Sequence, residues 1–425
     1  MIYALVAVLL VVAAISACSY VEFGAKLRGV ALEKVERSAN FKDGKFRNSK
    51  GTPTTPSSEP SERKSMVSTM WEFFFTGKTR RPKTPLTTAH SDLKSFGDGQ
   101  QTRVAWLGHS TMLIRIGGKT ILTDPVFSDA IFPIRLLAPK AFAYSKPIEI
   151  TDLPNVDVVL ISHDHFDHLD YASIRALSAK NSMFVTPLGV GSHLKKWGVP
   201  QDRIIERDWW QDTAIDGLRL TATPAQHFSG RGVIDRSTTL WASWVIDGNG
   251  ERLFFSGDSG YFAGFKDIGE CFGPFDLTIL ESGAYNENWI DVHMLPEQTV
   301  QAHMDLNGKV LQPIHWGKFD LALHGWAEPV ERLLVAAQQS GVHLATPAIG
   351  QAYSLQEPFP QLAWWRAVTE AQTVDRHPAK IGFDAITSTG KVNSTVASSS
   401  SLPTSLSARR KKLSSIAPEI ETPNR

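Results

Sequence analysis

The chain has 425 residues, a formal net charge of +1 and 42% hydrophobic residues. That length and apolar fraction suit a globular core of one or two domains, and the near-neutral balance argues against a dedicated nucleic-acid binder. Two cysteines cannot build a disulfide framework, so the sequence sets no redox compartment.

Residues 1–18 are almost wholly apolar, close to the shortest run that spans a bilayer, and residues 1–22 read as an anchor or a lipoprotein signal. Ile15-Ser16-Ala17-Cys18 has the form of a bacterial lipoprotein cleavage box. No Lys or Arg precedes the run, however, and signal peptides normally begin with a basic stretch. Lys26, Arg28, Lys34 and Arg37 follow it, which would keep the body of an uncleaved anchor in the cytoplasm. The reading is membrane attachment through the N-terminus, with the side of the membrane left open. Residues 23–99 form a basic, partly linker-like region: from 26 to 83 there are fourteen Lys or Arg against six Asp or Glu. Within it, 51–61 is rich in Thr, Pro and Ser. The cluster Met70-Trp71-Glu72-Phe73-Phe74-Phe75 beside Lys78, Arg80, Arg81 and Lys83 suits either an anionic lipid interface or a helix packed on the domain.

The chemistry lies in residues 100–355. Two predicted strands end near His109 and at Asp124. Residues 156–162 form a β-branched run too short for a helix and read as a buried strand. It delivers His163-x-His165-x-Asp167-His168, a crowding of donors that repel one another unless a cation holds them. Neutral imidazole with carboxylate suits zinc, and less often iron or manganese. Three more short apolar segments end in a ligand type: 218–227 in His227, 252–260 in Gly257-Asp258-Ser259, and 309–317 in His315. Strand ends are where α/β folds build their sites. Alone, His227 or His315 reads as a hydrogen-bonded histidine and Asp258 as a turn residue; together they supply the donors that a two-metal centre requires. Cys271 reads as a small buried hydrophobe. Residues 356–384 are a C-terminal extension, and 385–425 a Ser/Thr-rich disordered tail with one basic run, Arg409-Arg410-Lys411-Lys412. No repeat at solenoid periods is present, and any duplication of two halves is below what one sequence displays.

The series His163-x-His165-x-Asp167-His168, His227, Asp258 and His315 resembles the ligand series of the metallo-β-lactamase superfamily. The surrounding words resemble its N-acylphosphatidylethanolamine-hydrolysing phospholipase D branch and bacterial relatives. Among them are Trp106-Leu107-Gly108-His109-Ser110-Thr111, Leu122-Thr123-Asp124-Pro125, Pro224-Ala225-Gln226-His227, Gly257-Asp258-Ser259-Gly260-Tyr261, Gly283-Ala284-Tyr285 and Ile314-His315-Trp316-Gly317. The likeness runs from about residue 100 to about residue 350. It implies an α/β fold, an αββα sandwich of two mixed β-sheets flanked by helices. It implies two Zn2+ per chain, one held by His163, His165 and His227, the other by Asp167, His168 and His315, with Asp258 bridging. Asp167, Asp258 and His293 are the implied catalytic residues, His293 through contact with the phosphate or proton transfer to the leaving group. Asp124 is read as orienting a ligand histidine, and His109 as either a neighbour of the metal or a core-capping residue. The remaining histidines, His193 and His303 among them, are assigned no chemistry.

The implied activity is a zinc phosphodiesterase in which a metal-bridging hydroxide cleaves an N-acylphosphatidylethanolamine-like phospholipid to phosphatidic acid and N-acylethanolamine. The implied partners are a phospholipid substrate and a membrane surface, with a homodimer as the assembly and no nucleic acid. The same donors would serve a lactonase or esterase of the ascorbate-6-phosphate lactonase type. A ribonuclease Z-like nuclease is disfavoured by the charge and the anchor, and a diiron redox protein by the lack of a recognisable flavin domain. One departure stands out: Glu281-Ser282 occupies the place of an apolar–proline pair in the animal phospholipase.

Overall fold

The computed structural model describes residues 21–49, 68, 71 and 80–374, apart from 90, 136, 137, 233 and 357. Residues 1–20 of the apolar run, the 51–61 stretch, the aromatic cluster apart from Trp71, and the 385–425 tail lie outside the described residues. Among the described residues no helix is long and apolar enough to cross a membrane.

Two seven-stranded sheets carry the fold. The first has the order β16-β3-β4-β5-β6-β7-β8, with β3 Arg103–Trp106, β4 Met112–Ile116, β5 Lys119–Thr123, β6 Val158–Leu160, β7 Met183–Pro187, β8 Ile204–Arg207 and β16 Ala352–Ser354. The second has the order β9-β10-β11-β12-β13-β14-β15, with β9 Asp212–Ile215, β10 Leu218–Thr223, β11 Ser243–Gly248, β12 Glu251–Phe255, β13 Leu277–Glu281, β14 Val310–Ile314 and β15 His343–Leu344. Each sheet makes three antiparallel pairings followed by three parallel ones. The two halves are therefore built alike. The duplication that the sequence does not display is present in the strand order.

Side-chain alternation explains the layering. In the first sheet Val104, Trp106, Met112, Ile114, Ile121, Val158 and Leu160 point into the central core, where they meet Leu220, Ala222, Trp244, Ile246, Phe255 and Ile279 of the second sheet. The intervening Ala105, Leu113, Leu122, Val159 and Phe184 face outward onto Ile174 and Leu177 of α2 (Tyr171–Ser178) and Leu194 of α3 (Gly191–Lys196). Period-two alternation with both faces covered is the signature of a strand buried on both sides. On the other side Val245, Phe254, Leu280 and Leu311 meet Phe265 and Ile268 of α4 (Gly264–Phe272), Val300 of α5 (Pro296–Asp305) and Leu333 of α6 (Glu328–Ser340). The result is the expected αββα sandwich of two mixed sheets.

Local chemistry sets the ends of these elements. Asp170 caps α2, its carboxylate accepting from Ser173 N at 3.2 Å, and α6 stops at Gly341, whose φ of 66° an L side chain rarely adopts. Strand β4 is one that the sequence analysis does not name; it lies between the two predicted strands that lead to His109 and Asp124. Before the sandwich, α1 (Val30–Glu36) and the hairpin of β1 (Phe41–Lys42) with β2 (Lys45–Phe46) set Val35 and Phe46 into the central core. After it, α7 (Trp364–Val374) lays Trp364 and Trp365 against Trp316, with Trp364 also meeting Trp106.

Candidate metal centre

The strand ends of both sheets converge on one point. From the first sheet, the loop after β6 carries His163, Asp164, His165, Asp167 and His168, while β3 and β5 lead to His109 and Asp124. From the second, β10 leads to His227, β12 to Asp258, β13 to Glu281 and β14 to His315. His109, Asp124 and His315 all have positive φ, at 53°, 33° and 68°. Non-glycine residues held in that region cluster at functional sites, where the surrounding structure over-determines them. Gly257 (φ 56°) turns the chain just before Asp258, and a Cβ there would lie 2.4 Å from that of Ser162, so only glycine fits.

All seven predicted donors come together, in two groups. Ligand atoms of His163, His165 and His227 lie within 4.8 Å of one another, as do those of Asp167, His168, His315 and His109. In the first group His165 Nδ1 is 2.9 Å from His163 Nε2 and 3.2 Å from His227 Nε2. Asp258 sits between the groups. Its Oδ2 is 3.1 Å from Nε2 of both His168 and His315, 3.8 Å from His227 Nε2 and 4.0 Å from His163 Nε2.

The outward hydrogen bonds fix which nitrogen faces inward. His227 Nδ1 meets the Val292 carbonyl at 3.0 Å and so donates, leaving Nε2 as a bare lone pair towards the centre. His168 Nδ1 donates to Asp124 Oδ2 at 2.7 Å, which turns its Nε2 towards the centre. His163 Nδ1 lies 2.9 Å from Ser162 Oγ, whose own proton goes to Asp124 Oδ2 at 2.5 Å, so that imidazole too turns an unprotonated Nε2 inward. Carboxylates and carbonyls that take the outer proton of a metal-bound histidine are the usual support of such sites. Asp124 therefore does what the sequence predicts, and Ser162 is a link that the sequence analysis misses; a hydroxyl immediately before the motif was its signal. Nε2 of His168 and of His315 and Oδ1 of Asp258 are buried with no hydrogen-bond partner among the described residues. Buried polar atoms are rarely left so, and this donor set fits divalent cations.

The electrostatics agree. Burial opposes ionisation of Asp258 and Asp167, yet facing imidazoles, His168 foremost, hold both well below the usual carboxylate range. Burial likewise opposes protonation of His168 and His315, but Asp258 pulls His168 well above the usual imidazole range and His315 up to about 10. His163 and His227, pressed by burial and by neighbouring imidazoles, lie well below theirs. The centre draws positive charge to the midpoint around Asp258 while its outer imidazoles stay neutral.

His109 Nε2 donates to Asp167 Oδ2 at 3.0 Å, and burial, then His315, lowers its imidazole to about 3. It is a neutral neighbour that holds the carboxylate of Asp167. His293 stands at the rim, its ring 5.2 Å from that of His227 and 5.3 Å from that of His315. Glu281 is fully buried; it accepts from Met294 N at 2.5 Å and lies 3.7 Å from His293 Nδ1. Cys271 is a buried free thiol, as predicted.

Residues 119–316 match the profile of the beta-lactamase superfamily domain. An uncharacterized protein of Mycobacterium tuberculosis is 44% identical over 336 residues, covering 78% of this chain and 88% of that one. The N-acyl-phosphatidylethanolamine-hydrolyzing phospholipase D 1 of Caenorhabditis elegans is 33% identical over 241 residues, covering 54% of this chain and 67% of that one. The mitochondrial protein of the same description from Saccharomyces cerevisiae is 35% identical over 246 residues, covering 56% and 52%. The chain belongs to the metallo-β-lactamase superfamily and is a metal-dependent hydrolase of that superfamily.

Proposed function

We propose that this member of the metallo-β-lactamase superfamily is a dinuclear zinc phosphodiesterase that cleaves N-acylphosphatidylethanolamine-like phospholipids to phosphatidic acid and N-acylethanolamine. The observation that carries the two-metal reading is the pair of donor groups sharing Asp258 Oδ2, with the Nε2 atoms of His163, His168 and His227 all turned inward by the outward bonds of their Nδ1 atoms. The substrate class is supported by the two relatives whose printed descriptions name that hydrolysis.

In this reading His163, His165 and His227 would hold one ion and Asp167, His168 and His315 the other, with Asp258 between the two groups as a donor to both. Two such ions, when bound, would supply Lewis acidity and make a bound water more acidic. The chain's own residues do the rest. Asp124, Ser162 and His109 hold the donors in register. His293 gives a proton to the departing alcohol oxygen as its bond to phosphorus breaks and the water oxygen forms the new one. Membrane association through residues 1–22 belongs to the same reading, supported by the apolar run and the basic residues after it.

The test is product analysis by mass spectrometry. Zinc-loaded, detergent-solubilised protein is incubated with N-acylphosphatidylethanolamine beside the Asp258→Ala variant. Phosphatidic acid and N-acylethanolamine from the wild type alone are expected. No product from protein shown to hold two metals overturns the substrate and moves the reading to lactones and small phosphodiesters.

A further inference from the structure

We propose that His193 and Arg231 are positioning residues for the metal loop, and that residues 21–25 form a strap that holds both of them in place. The inference rests on reading residues 163–168 as metal donors. Neither residue supplies a donor atom; both act through the loop that does.

Arg231 is 2% exposed. Its Nη1 donates to the carbonyls of Asp164 and Leu169, each at 2.8 Å. One guanidinium thus holds both ends of the loop that carries His165, Asp167 and His168. Its faces lie over the rings of Phe166 at 4.1 Å and Trp197 at 5.0 Å. Its remaining reach goes to the strap: Nε and Nη2 donate to the Glu22 carbonyl at 3.1 and 2.8 Å.

Asp164, between the ligands His163 and His165, is buried and points away from the centre. Its carboxylate accepts from Gly230 N and Thr239 Oγ1, each at 2.7 Å, and lies 3.2 Å from His193 Nε2. The strap decides how His193 can bond. Ala25 N–H, which can only donate, meets His193 Nδ1 at 2.8 Å, so Nδ1 is the acceptor. The ring proton then resides on Nε2 and points at Asp164. Undocking the strap would release that choice of tautomer and with it the third bond on Asp164.

The strap itself is held by Trp197 Nε1 on the Val21 carbonyl at 2.8 Å and Lys196 Nζ on the Gly24 carbonyl at 2.5 Å. Gly24 has φ 82°, and a Cβ there would lie 2.0 Å from His193 Nδ1, so position 24 tolerates no side chain while the strap is docked. The strap follows the apolar N-terminal run directly in sequence, with no intervening linker.

The test is a Co2+ titration of the full-length protein, competed with a chelator and followed by visible absorption. His193→Phe removes both hydrogen bonds and keeps an aromatic ring; Gly24→Ala displaces the strap alone; His193→Gln offers an amide that can accept from Ala25 and donate to Asp164. We expect His193→Phe and Gly24→Ala to weaken at least one of the two ions about 10–100-fold, the usual cost of losing a group behind a metal ligand, and to alter its absorption band. His193→Gln should restore affinity and band towards wild type. Wild-type titrations from both Phe and Ala variants overturn the proposal, as does a His193→Gln variant no better than His193→Phe. Should His193→Phe fail to fold, Gly24→Ala decides on the same measurement. Wild-type protein that binds no Co2+ overturns the metal reading itself, and this inference with it.

Discussion

The two sheets share one pattern of pairing but equip their strand ends differently. In the first, Asp124 directly follows β5 and Ser162 stands two residues past β6, and the two are joined by Ser162 N donating to Asp124 Oδ1 at 2.7 Å. At the matching places of the second, Ser256 directly follows β12 and Glu281 closes β13, joined by Glu281 N donating to Ser256 Oγ at 3.0 Å. The backbone join is the same and the chemistry is not. The first half concentrates four of the seven donors in one loop and gives its other strand ends to supporting it. The second half gives one donor from each of three strand ends, His227, Asp258 and His315. A duplicated scaffold fixes where ligands can stand; which half supplies a ligand and which its support is decided residue by residue.

Breaking the comparison at its centre has the largest effect. Asp258→Ala removes the one oxygen close to both groups, and kcat on the cleaved substrate should fall at least about a thousandfold, or roughly 4 kcal/mol of barrier. The variant should keep its far-ultraviolet circular dichroism, because Asp258 lies beyond the strand rather than within it. Next come the matched strand ends. Asp124→Asn should weaken metal binding about 10–100-fold, whereas Ser256→Ala should titrate with metal like the wild type; equal losses would show that the two positions are equivalent after all.

A smaller effect separates the helical layers. His303 on α5 is buried behind the second sheet, its Nδ1 2.7 Å from Thr278 Oγ1, and burial, then His343, lowers its imidazole to about 4. Its folded form binds a proton less readily than the unfolded chain. Its contribution is therefore absent above pH 6.5 and becomes destabilising as pH falls from 6.5 towards 4, by up to about 3 kcal/mol. In thermal melts the acid-side slope should flatten in His303→Gln. Smallest of all, Arg332→Ala breaks the exposed pairing of α6 to Glu297 of α5, and should change stability by no more than about 1 kcal/mol.

The centre is legible in the sequence because its richest part is continuous: four donors in six residues need no tertiary information to be noticed. His227, Asp258 and His315 are legible one step later, as ligand types where apolar runs stop. The likeness of the halves is not, because it resides in strand order and backbone pairing, while Asp124 corresponds to Ser256 and Ser162 to Glu281 with no residue repeated. Nor are the supports of the loop. Ala25 and His193 are 168 positions apart, and Arg231 reads as one basic residue in a Gly-flanked stretch. His193 carries no chemistry in the sequence analysis because nothing local distinguishes it from an ordinary helical histidine.

Asp124 has one consequence for how the centre fills. A single carboxylate oxygen holds His168 directly and His163 through Ser162, so the two donor groups share one hinge point. If the centre takes two ions, as proposed, the first to arrive would immobilise an imidazole of its own group and, through that oxygen, lower the entropy that the other group has still to lose. Loading should therefore be cooperative, with singly occupied molecules scarce throughout a titration.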